Sequence, residues 1–244
     1  MLRFLIPFIF LVLPLDIHAG GFVWTQLNTG GECDPYPGAY RELLAFLGSV
    51  TSVEAVSGRK FVDIKDDAMF ESPFLFLACR SVPRELDDEE IRRLRMHLAG
   101  GGMLWIEDVS GQLHSSFDRW VRRTLAQIFP ESRLQPIDAG HPVYRSFFLI
   151  KSPEGRTKTV SFMEGVQWGG RTAVIYSRND LPGAWPKDAL GNPLYQCAPG
   201  GEAQRSTGKK LSVNIIMYSL TGSYKLDAIH QPFILEKLRQ MQAQ

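Results

Sequence analysis

The sequence predicts an α/β protein in which a mostly parallel β-sheet carries helices on both faces. Two observations predict this class. Short apolar runs alternate with segments of helical periodicity between residues 22 and 176, as in chains of β-α-β units. Several of these runs are apolar without interruption, which is typical of strands buried on both faces. No internal repeat and no linker divides the chain, so one domain over residues 20–244 is expected.

The strands are predicted from the apolar runs. The runs at 73–79 and 103–106 are continuous, whereas the run at 50–56 is weaker. A hairpin is expected from residues 145–150 and 157–163. The remaining predicted strands are residues 22–27, 133–137 and 171–176.

The helices are predicted from apolar residues repeated at helical spacing. Asp87 and Glu90 form a capping-box pattern before the helix at 87–98, which ends at glycines 100–102 and carries His97 at its surface near the carboxyl end. The residues between 181 and 208 show no periodicity and are rich in Gly and Pro, so a long loop is expected there. The other predicted helices are residues 40–47 closed by Gly48, 117–128 before Pro130, 211–220, and 232–241.

Charge and hydropathy exclude two classes of partner. The 244 residues carry 27 Lys and Arg against 26 Asp and Glu, a net charge of +1. This balance provides no basic surface for nucleic acid. No run approaches the ~18 apolar residues of a transmembrane helix, so membrane contact is expected only through the first residues, if these are retained.

Residues 1–19 have the pattern of a signal peptide. Arg3 precedes twelve apolar residues at 4–15, and Ala19 ends the segment before Gly20. The apolar stretch is shorter than the ~20 residues that span a bilayer, although an uncleaved anchor is the alternative. We therefore expect a periplasmic or secreted protein.

Export would place the three cysteines in an oxidising compartment, where disulfides persist. Cys33 and Cys197 lie in Gly- and Pro-rich stretches, whereas Cys79 ends an apolar run. We expect a Cys33–Cys197 disulfide and a buried free thiol at Cys79. Three pairings are possible, and the sequence does not choose between them.

The candidate site is the edge of the sheet at the carboxyl ends of the parallel strands, here called the rim, because ligands of such sheets bind there. The rim positions are residues 26–28, 79–80, 107–108 and 177–180. Trp185 and Tyr195 in the long loop, with Trp168 and Tyr36, either form an aromatic lid over the rim or hold the loop in place by packing. The candidate binding residues are Asn28, Arg80, Glu107, Asp108, Asn179, Asp180, Trp185 and Asn214.

The acidic pair Glu107-Asp108 is the most suggestive feature of the rim. Adjacent carboxylates can bind a divalent cation, cap a helix, or raise one another's pKa for acid/base chemistry. Consecutive strand residues point to opposite faces, however, which favours a structural role for Asp108, either capping the region 110–117 or bonding to loop amides. A metal-assisted hydrolase using Glu107, Asp108 and Asp180 is the alternative function.

Asn214 and two Gly-Gly pairs are further candidates for a binding role. Asn214 lies within an apolar helix and, if buried, must bond either a neighbouring loop such as Asn179-Asp180 or a ligand. The pairs Gly30-Gly31 and Gly169-Gly170 lack the Lys and Ser/Thr of a phosphate-binding loop. No cofactor is therefore expected.

The order and spacing of a set of residues between 22 and 222 match a known family. These residues are 73–77, 98–102, Glu107-Asp108, Phe117, His141-Pro142, Gly165, Asn179-Asp180, Trp185, 213–218 and 220–222. With them the chain resembles a bacterial family known as domain of unknown function 4159. The resemblance implies a flavodoxin-like three-layer sandwich similar to class I glutamine amidotransferase domains. Many members have a small residue, Gly and His after the third strand, where this chain has Ala78-Cys79-Arg80.

An amidotransferase-like fold raises the question of a cysteine nucleophile, and Cys79 is the cysteine at a predicted strand end. A nucleophile elbow needs flanking glycines, and residues 77–81 contain none. We therefore expect no catalytic residue. The sequence favours a non-catalytic exported domain that binds a small ligand or a protein partner at the rim.

Overall fold

A seven-stranded sheet forms the centre of the computed structural model, which describes residues 21–242 and their side chains as far as Thr221. The predicted signal segment, 1–19, lies outside the described residues. The strands are β1 (Phe22–Asn28), β2 (Ala55–Asp63), β3 (Phe74–Cys79), β4 (Met103–Asp108), β5 (Gln135–Pro136), β6 (Glu164–Trp168) and β7 (Arg171–Ser177). The helices are α1 (Ala39–Val50), α2 (Asp88–Ala99), α3 (Ser116–Ile128) and α4 (Gly201–Gln242).

The sheet is mostly parallel, as the sequence predicts. Its order is β2-β1-β3-β4-β7-β6-β5, in which the first five strands are parallel and the last two antiparallel. The parallel strands follow the chain order 2-1-3-4-5, which is that of flavodoxin-like doubly wound sheets. The winding direction reverses between β1 and β3, so the switch point lies there.

Helices cover both faces of the sheet because the central strands are apolar on both sides. Phe74, Phe76 and Ala78 of β3 belong to one core cluster, which includes buried residues of α1 and α4. Leu75 and Leu77 belong to the other cluster, which includes α2 and α3. The register Phe74↔Met103 to Cys79↔Asp108 keeps β3 and β4 level, so both strands end at the same rim.

Helix α2 begins and ends where its sequence predicts. The Asp87 side chain accepts a hydrogen bond from the Glu90 amide, and the Glu90 side chain accepts one from the Asp87 amide. His97, in contrast, is buried instead of lying at the surface. Its ring lies so close to Gly102 that an added Cβ there would be 2.1 Å from Nε2.

Two strand predictions are wrong. The second strand is β2, not residues 50–56, because α1 continues to Val50 and β2 exposes most of its side chains and so lacks an apolar run. The hairpin pairs β6 with β7, not 145–150 with 157–163. Its turn residues Gly169 and Gly170 have φ values of 58° and 79°, which glycine adopts without strain.

The carboxyl-terminal part of the chain contains more helix than predicted. Helix α4 begins at Gly201, so the loop after β7 covers residues 178–200 and includes a short 3-10 turn, Pro182–Ala184. The predicted helix 232–241 falls within α4, but its side chains lie outside the described part. Between residues 21 and 242, no helix has the length and apolar character needed to cross a membrane.

Candidate functional site

Four loops follow the carboxyl ends of parallel strands and form the rim. They are residues 29–38 after β1, 80–87 after β3, 109–115 after β4 and 178–200 after β7. Asn28 and Arg80 are exposed at this edge, and Asn28 donates a hydrogen bond to Asp63 at 2.8 Å. The other polar candidates are buried. The hydrogen-bond partners of each therefore show whether its polar atoms are free to contact a ligand.

Glu107 lies on the α1 and α4 side of the sheet, where its carboxylate is fully buried. Oε1 accepts a hydrogen bond from the Trp105 indole at 2.7 Å, and Oε2 accepts one from the Leu181 amide at 3.2 Å. Burial raises the pKa of this carboxyl well above its usual range. Glu107 therefore holds the loop after β7 against β4.

Asp108 lies on the opposite side of the sheet and has a separate role. Its carboxylate accepts hydrogen bonds from the Ser110 amide at 2.9 Å and from the Ser115 hydroxyl. The Ser115 oxygen in turn accepts a hydrogen bond from the Asp118 amide at 2.7 Å and caps α3. Asp108 thus bonds to a loop amide, which is one of the two structural roles expected for it. It does not cap α3 itself, because the capping residue is Ser115.

Asp180 is buried on the same side as Glu107 and holds three elements together. It accepts hydrogen bonds from the Tyr36 hydroxyl at 2.8 Å, the Gly183 amide at 3.0 Å and the Arg156 guanidinium. Burial raises the pKa of the Asp180 carboxyl, while Arg156 opposes that rise. Its φ of 55° is in the left-handed region, which the chain adopts to turn sharply after β7.

The three carboxylates of the predicted hydrolase do not form one site. Glu107 and Asp180 lie on one side of the sheet and Asp108 on the other, because the strand continues through both residues of the acidic pair. Within residues 21–221, no group of three or more His, Cys, Asp and Glu side chains is placed to hold a metal ion. The geometry therefore gives no support to the metal-assisted alternative.

Both candidate asparagines bond to the protein's own backbone. Asn179 donates to the carbonyls of Pro153 and Val160 and accepts from the Val160 amide. Asn214 of α4 accepts from the amides of residues 147 and 148 and donates to the carbonyls of residues 143 and 148, at distances between 2.7 and 3.2 Å. Its partner is thus a neighbouring loop, although not the one at Asn179-Asp180 that the sequence suggests.

Trp185 is buried and its indole donates to Ser212 of α4 at 3.2 Å, so it packs inside the protein and forms no exposed lid. A cavity of about 20 Å³ lies beside it, lined by residues that include Trp24, Tyr36 and Trp105. Among the residues that the structure describes, none provides a hydrogen-bond partner for the buried Trp24 indole nitrogen. A cavity of this size has room for about one water molecule.

The predicted Cys33–Cys197 disulfide is wrong. Cys33 is bonded to Cys79, and Cys197 is a buried free thiol. The pairing follows from the strand order, because β1 and β3 are neighbours and the loop after β1 passes over the end of β3. The Arg80 amide also donates to the Glu32 carbonyl at 3.1 Å. These two links hold the loop after β1 against the end of β3, at the switch point of the sheet. Because Cys79 is disulfide-bonded, it has no free thiol with which to act as a nucleophile.

A group of exposed apolar side chains lies in the rim loops, and of its members only Tyr195 was expected there from the sequence. Only Leu194 and Tyr195 are adjacent in the sequence, and the group follows neither strand nor helix periodicity. Loops normally carry polar residues at such positions, and that contrast is the signal that could have identified them. The group consists of Val82, Leu113, Leu190, Leu194 and Tyr195, with exposed fractions between 38% and 87%.

Comparison with curated proteins found no match to this chain. A protein-family model, Domain of unknown function (DUF4159), matches residues 23–220 and so covers most of the chain. The match confirms the resemblance noted from the sequence, while the family's description assigns no activity. The chain belongs to the DUF4159 family.

Proposed function

We propose that this protein is an exported, non-catalytic binding domain whose rim loops dock onto an apolar surface of a protein partner. We also propose that its sheet belongs to the class I glutamine amidotransferase-like group of flavodoxin-like folds. The signal pattern in residues 1–19 and the Cys33–Cys79 disulfide both support export, because disulfides persist in oxidising compartments.

The placement of exposed apolar side chains carries the proposal. Among the described residues, nine large apolar side chains are exposed, and five of them belong to the loops after β3, β4 and β7. These strands are neighbours in the sheet, so their loops meet at one edge. Apolar groups gathered on one surface mark protein interaction sites more often than scattered ones do.

The loop after β7 contributes most of this surface and is internally organised. The Asp188 carboxylate accepts hydrogen bonds from the amides of Leu190 and Asn192, at 2.9 and 2.8 Å. The buried Arg205 of α4 donates to the carbonyls of Ala184 and Tyr195 and fixes the base of the loop. A pre-ordered loop loses less entropy when it binds.

The chemistry of this loop favours apolar recognition. Lys187 forms an ion pair with Glu42 at 2.9 Å, and Asp188 bonds to backbone amides. Both charged side chains at the tip are thus engaged within the chain, while Leu190 is 87% exposed. A small ligand is less favoured, because the rim cavity has a volume of only about 20 Å³. The buried polar candidates are also hydrogen-bonded already to other side chains and to the backbone.

Site-specific photo-crosslinking tests the proposal. A benzophenone amino acid replaces Leu190 or, as a matched control, Leu149, which is also 87% exposed but lies in another loop. After irradiation of cells that make the protein naturally, we expect one adduct of defined mass at position 190 and none at 149. The absence of an adduct at 190, or equal adducts at both positions, would overturn the proposal.

Leu194→Asp is the second arm of this experiment. Because Leu194 is about half exposed, the variant should fold, and an aspartate in an apolar contact should remove the adduct at position 190. Amino-terminal sequencing of the mature protein tests export independently. We expect it to begin at Gly20, and an intact Met1 would contradict cleavage of the signal segment.

A further inference from the structure

A second cavity lies at the amino ends of the strands, at the opposite end of the sheet from the rim. It has a volume of about 320 Å³, against about 20 Å³ for the rim cavity, and falls in the size range of small-molecule sites. At the ~30 Å³ that one water-sized group occupies, it has room for about ten non-hydrogen atoms. Its lining consists of residues 21–23, Thr25, Lys60, residues 71–74 and Leu220.

The amino-terminal end of β1 is left partly without neighbouring strands, which opens this cavity. On one side, residues 56–58 of β2 form a bulge opposite Val23, so regular pairing is interrupted there. On the other side, β3 begins at Phe74, which the strand register places level with Trp24. Phe22 and Val23 therefore extend beyond the start of β3.

Apolar side chains form the larger part of the cavity wall. Phe22 and Phe74 are buried, with ring centroids 5.2 Å apart, and Leu220 is the residue that α4 contributes. Val23 and Pro73 are half-buried and complete the apolar lining. Because a ligand gains free energy by burying apolar surface against such a wall, the cavity favours a ligand with an apolar body.

One buried hydroxyl in the wall has an acceptor that the protein does not use. Ser72 donates its single hydroxyl hydrogen to the Phe74 carbonyl at 3.0 Å. The 2.6 Å bond between the Thr25 and Ser72 hydroxyls must therefore use the Thr25 hydrogen. Thr25 is fully buried, and no group among the described residues donates to its oxygen. Since buried polar atoms are normally hydrogen-bonded, the cavity favours a ligand with a hydrogen-bond donor.

The two charged residues of the lining favour a neutral ligand. Lys60 and Glu71 form an ion pair at 2.6 Å, so a ligand of either charge would meet a like charge as well as an opposite one. We propose that this cavity binds a small neutral ligand in which an apolar body carries one hydroxyl or amide donor to the Thr25 oxygen. This site is separate from the rim, and it does not depend on the function proposed there.

Two alkyl probes of equal size test the proposal. Octan-1-ol has a hydroxyl donor, whereas heptyl methyl ether has the same number of non-hydrogen atoms and no donor. In a nuclear magnetic resonance titration of the purified protein, octan-1-ol should bind saturably and shift the amide signals of residues 21–23, but not that of Leu190 at the rim. Its affinity should exceed that of the ether about fivefold, the effect of a hydrogen bond with a net value of about 1 kcal/mol.

Three variants locate the site. Thr25→Val replaces the hydroxyl with a methyl group, so octan-1-ol should bind it no better than the ether does. Val23→Phe should fill the cavity and weaken both probes about tenfold or more, and because Val23 is half-buried the variant should fold. Leu149→Phe, at an exposed position in another loop, is the control and should weaken neither probe.

Three results would overturn the proposal. They are no saturable binding of octan-1-ol, equal affinities of the two probes for the unmodified protein, and unchanged binding in Val23→Phe. The first two need no substitution, so they test the proposal even where a variant is destabilised.

Discussion

Replacing Asn214 with alanine tests whether a buried rim candidate serves the fold or a ligand. The Asn214 amide makes four hydrogen bonds to the loop at residues 143–148. At a net value of about 1 kcal/mol each, their loss would destabilise the protein by roughly 4 kcal/mol. Alanine is the better helix former, which offsets about 0.5 kcal/mol. Water can also reach several of the released groups, so we expect a loss of about 3 kcal/mol.

Urea unfolding of the purified protein measures this loss, and thermal unfolding should show a midpoint lowered by roughly 6 to 12 °C for a domain of this size. Hydrogen exchange should accelerate at the amides of Phe147 and Phe148, which bond to Asn214. Asn192→Ala is the control, since that residue is exposed, and we expect a change below about 0.5 kcal/mol. A loss below about 1 kcal/mol for Asn214→Ala would refute the structural role.

Two other predictions concern stability. Replacing Cys33 and Cys79 together with alanine should lower the free energy of unfolding by roughly 4 kcal/mol, because the bond closes a loop with a sequence separation of 46. Cys197→Ala should change the stability of the protein much less, and equal losses in urea unfolding would contradict the assignment. Burial, with a smaller effect from Arg171, lowers the pKa of His97 to about 3, so the unfolded chain binds a proton first as pH falls below about 6.5. His97 should therefore cost roughly 2 kcal/mol of stability at pH 5 relative to pH 7, and a His97→Leu variant with an unchanged pH slope would refute this reasoning.

The sequence predicts the buried elements well and the exposed ones poorly. β3, β4 and β7 are apolar on both faces, so continuous runs identify them. β2 lies at the sheet edge and exposes most of its side chains, which removes the apolar pattern. The apolar residues at 145–150 resemble a strand, yet their backbone bonds to Asn214 of α4. Whether such a segment forms a strand therefore depends on hydrogen-bond partners that are distant in the sequence.

At the rim, too, the sequence predicts local features of the side chains but not their tertiary partners. Alternation along a strand correctly separates Glu107 from Asp108, because that rule is local. The partner of Cys33 depends on β1 and β3 being neighbours, which the strand order determines and local sequence does not. Whether Asp180 and Asn214 bond to protein or to a ligand also depends on tertiary contacts. The exposed leucines of the rim loops lie at one edge of the sheet only because β3, β4 and β7 are neighbours in the strand order.

The central claim is that the apolar rim loops, and not the rim carboxylates, recognise a partner. The most direct test compares photo-crosslinking at position 190 in Leu194→Asp and Asp108→Asn. The second variant keeps the contacts to Ser110 and Ser115, since an amide can accept from one and donate to the other. We predict that Leu194→Asp removes the adduct and Asp108→Asn leaves its yield unchanged. The opposite result, an adduct lost in Asp108→Asn and kept in Leu194→Asp, would contradict the account.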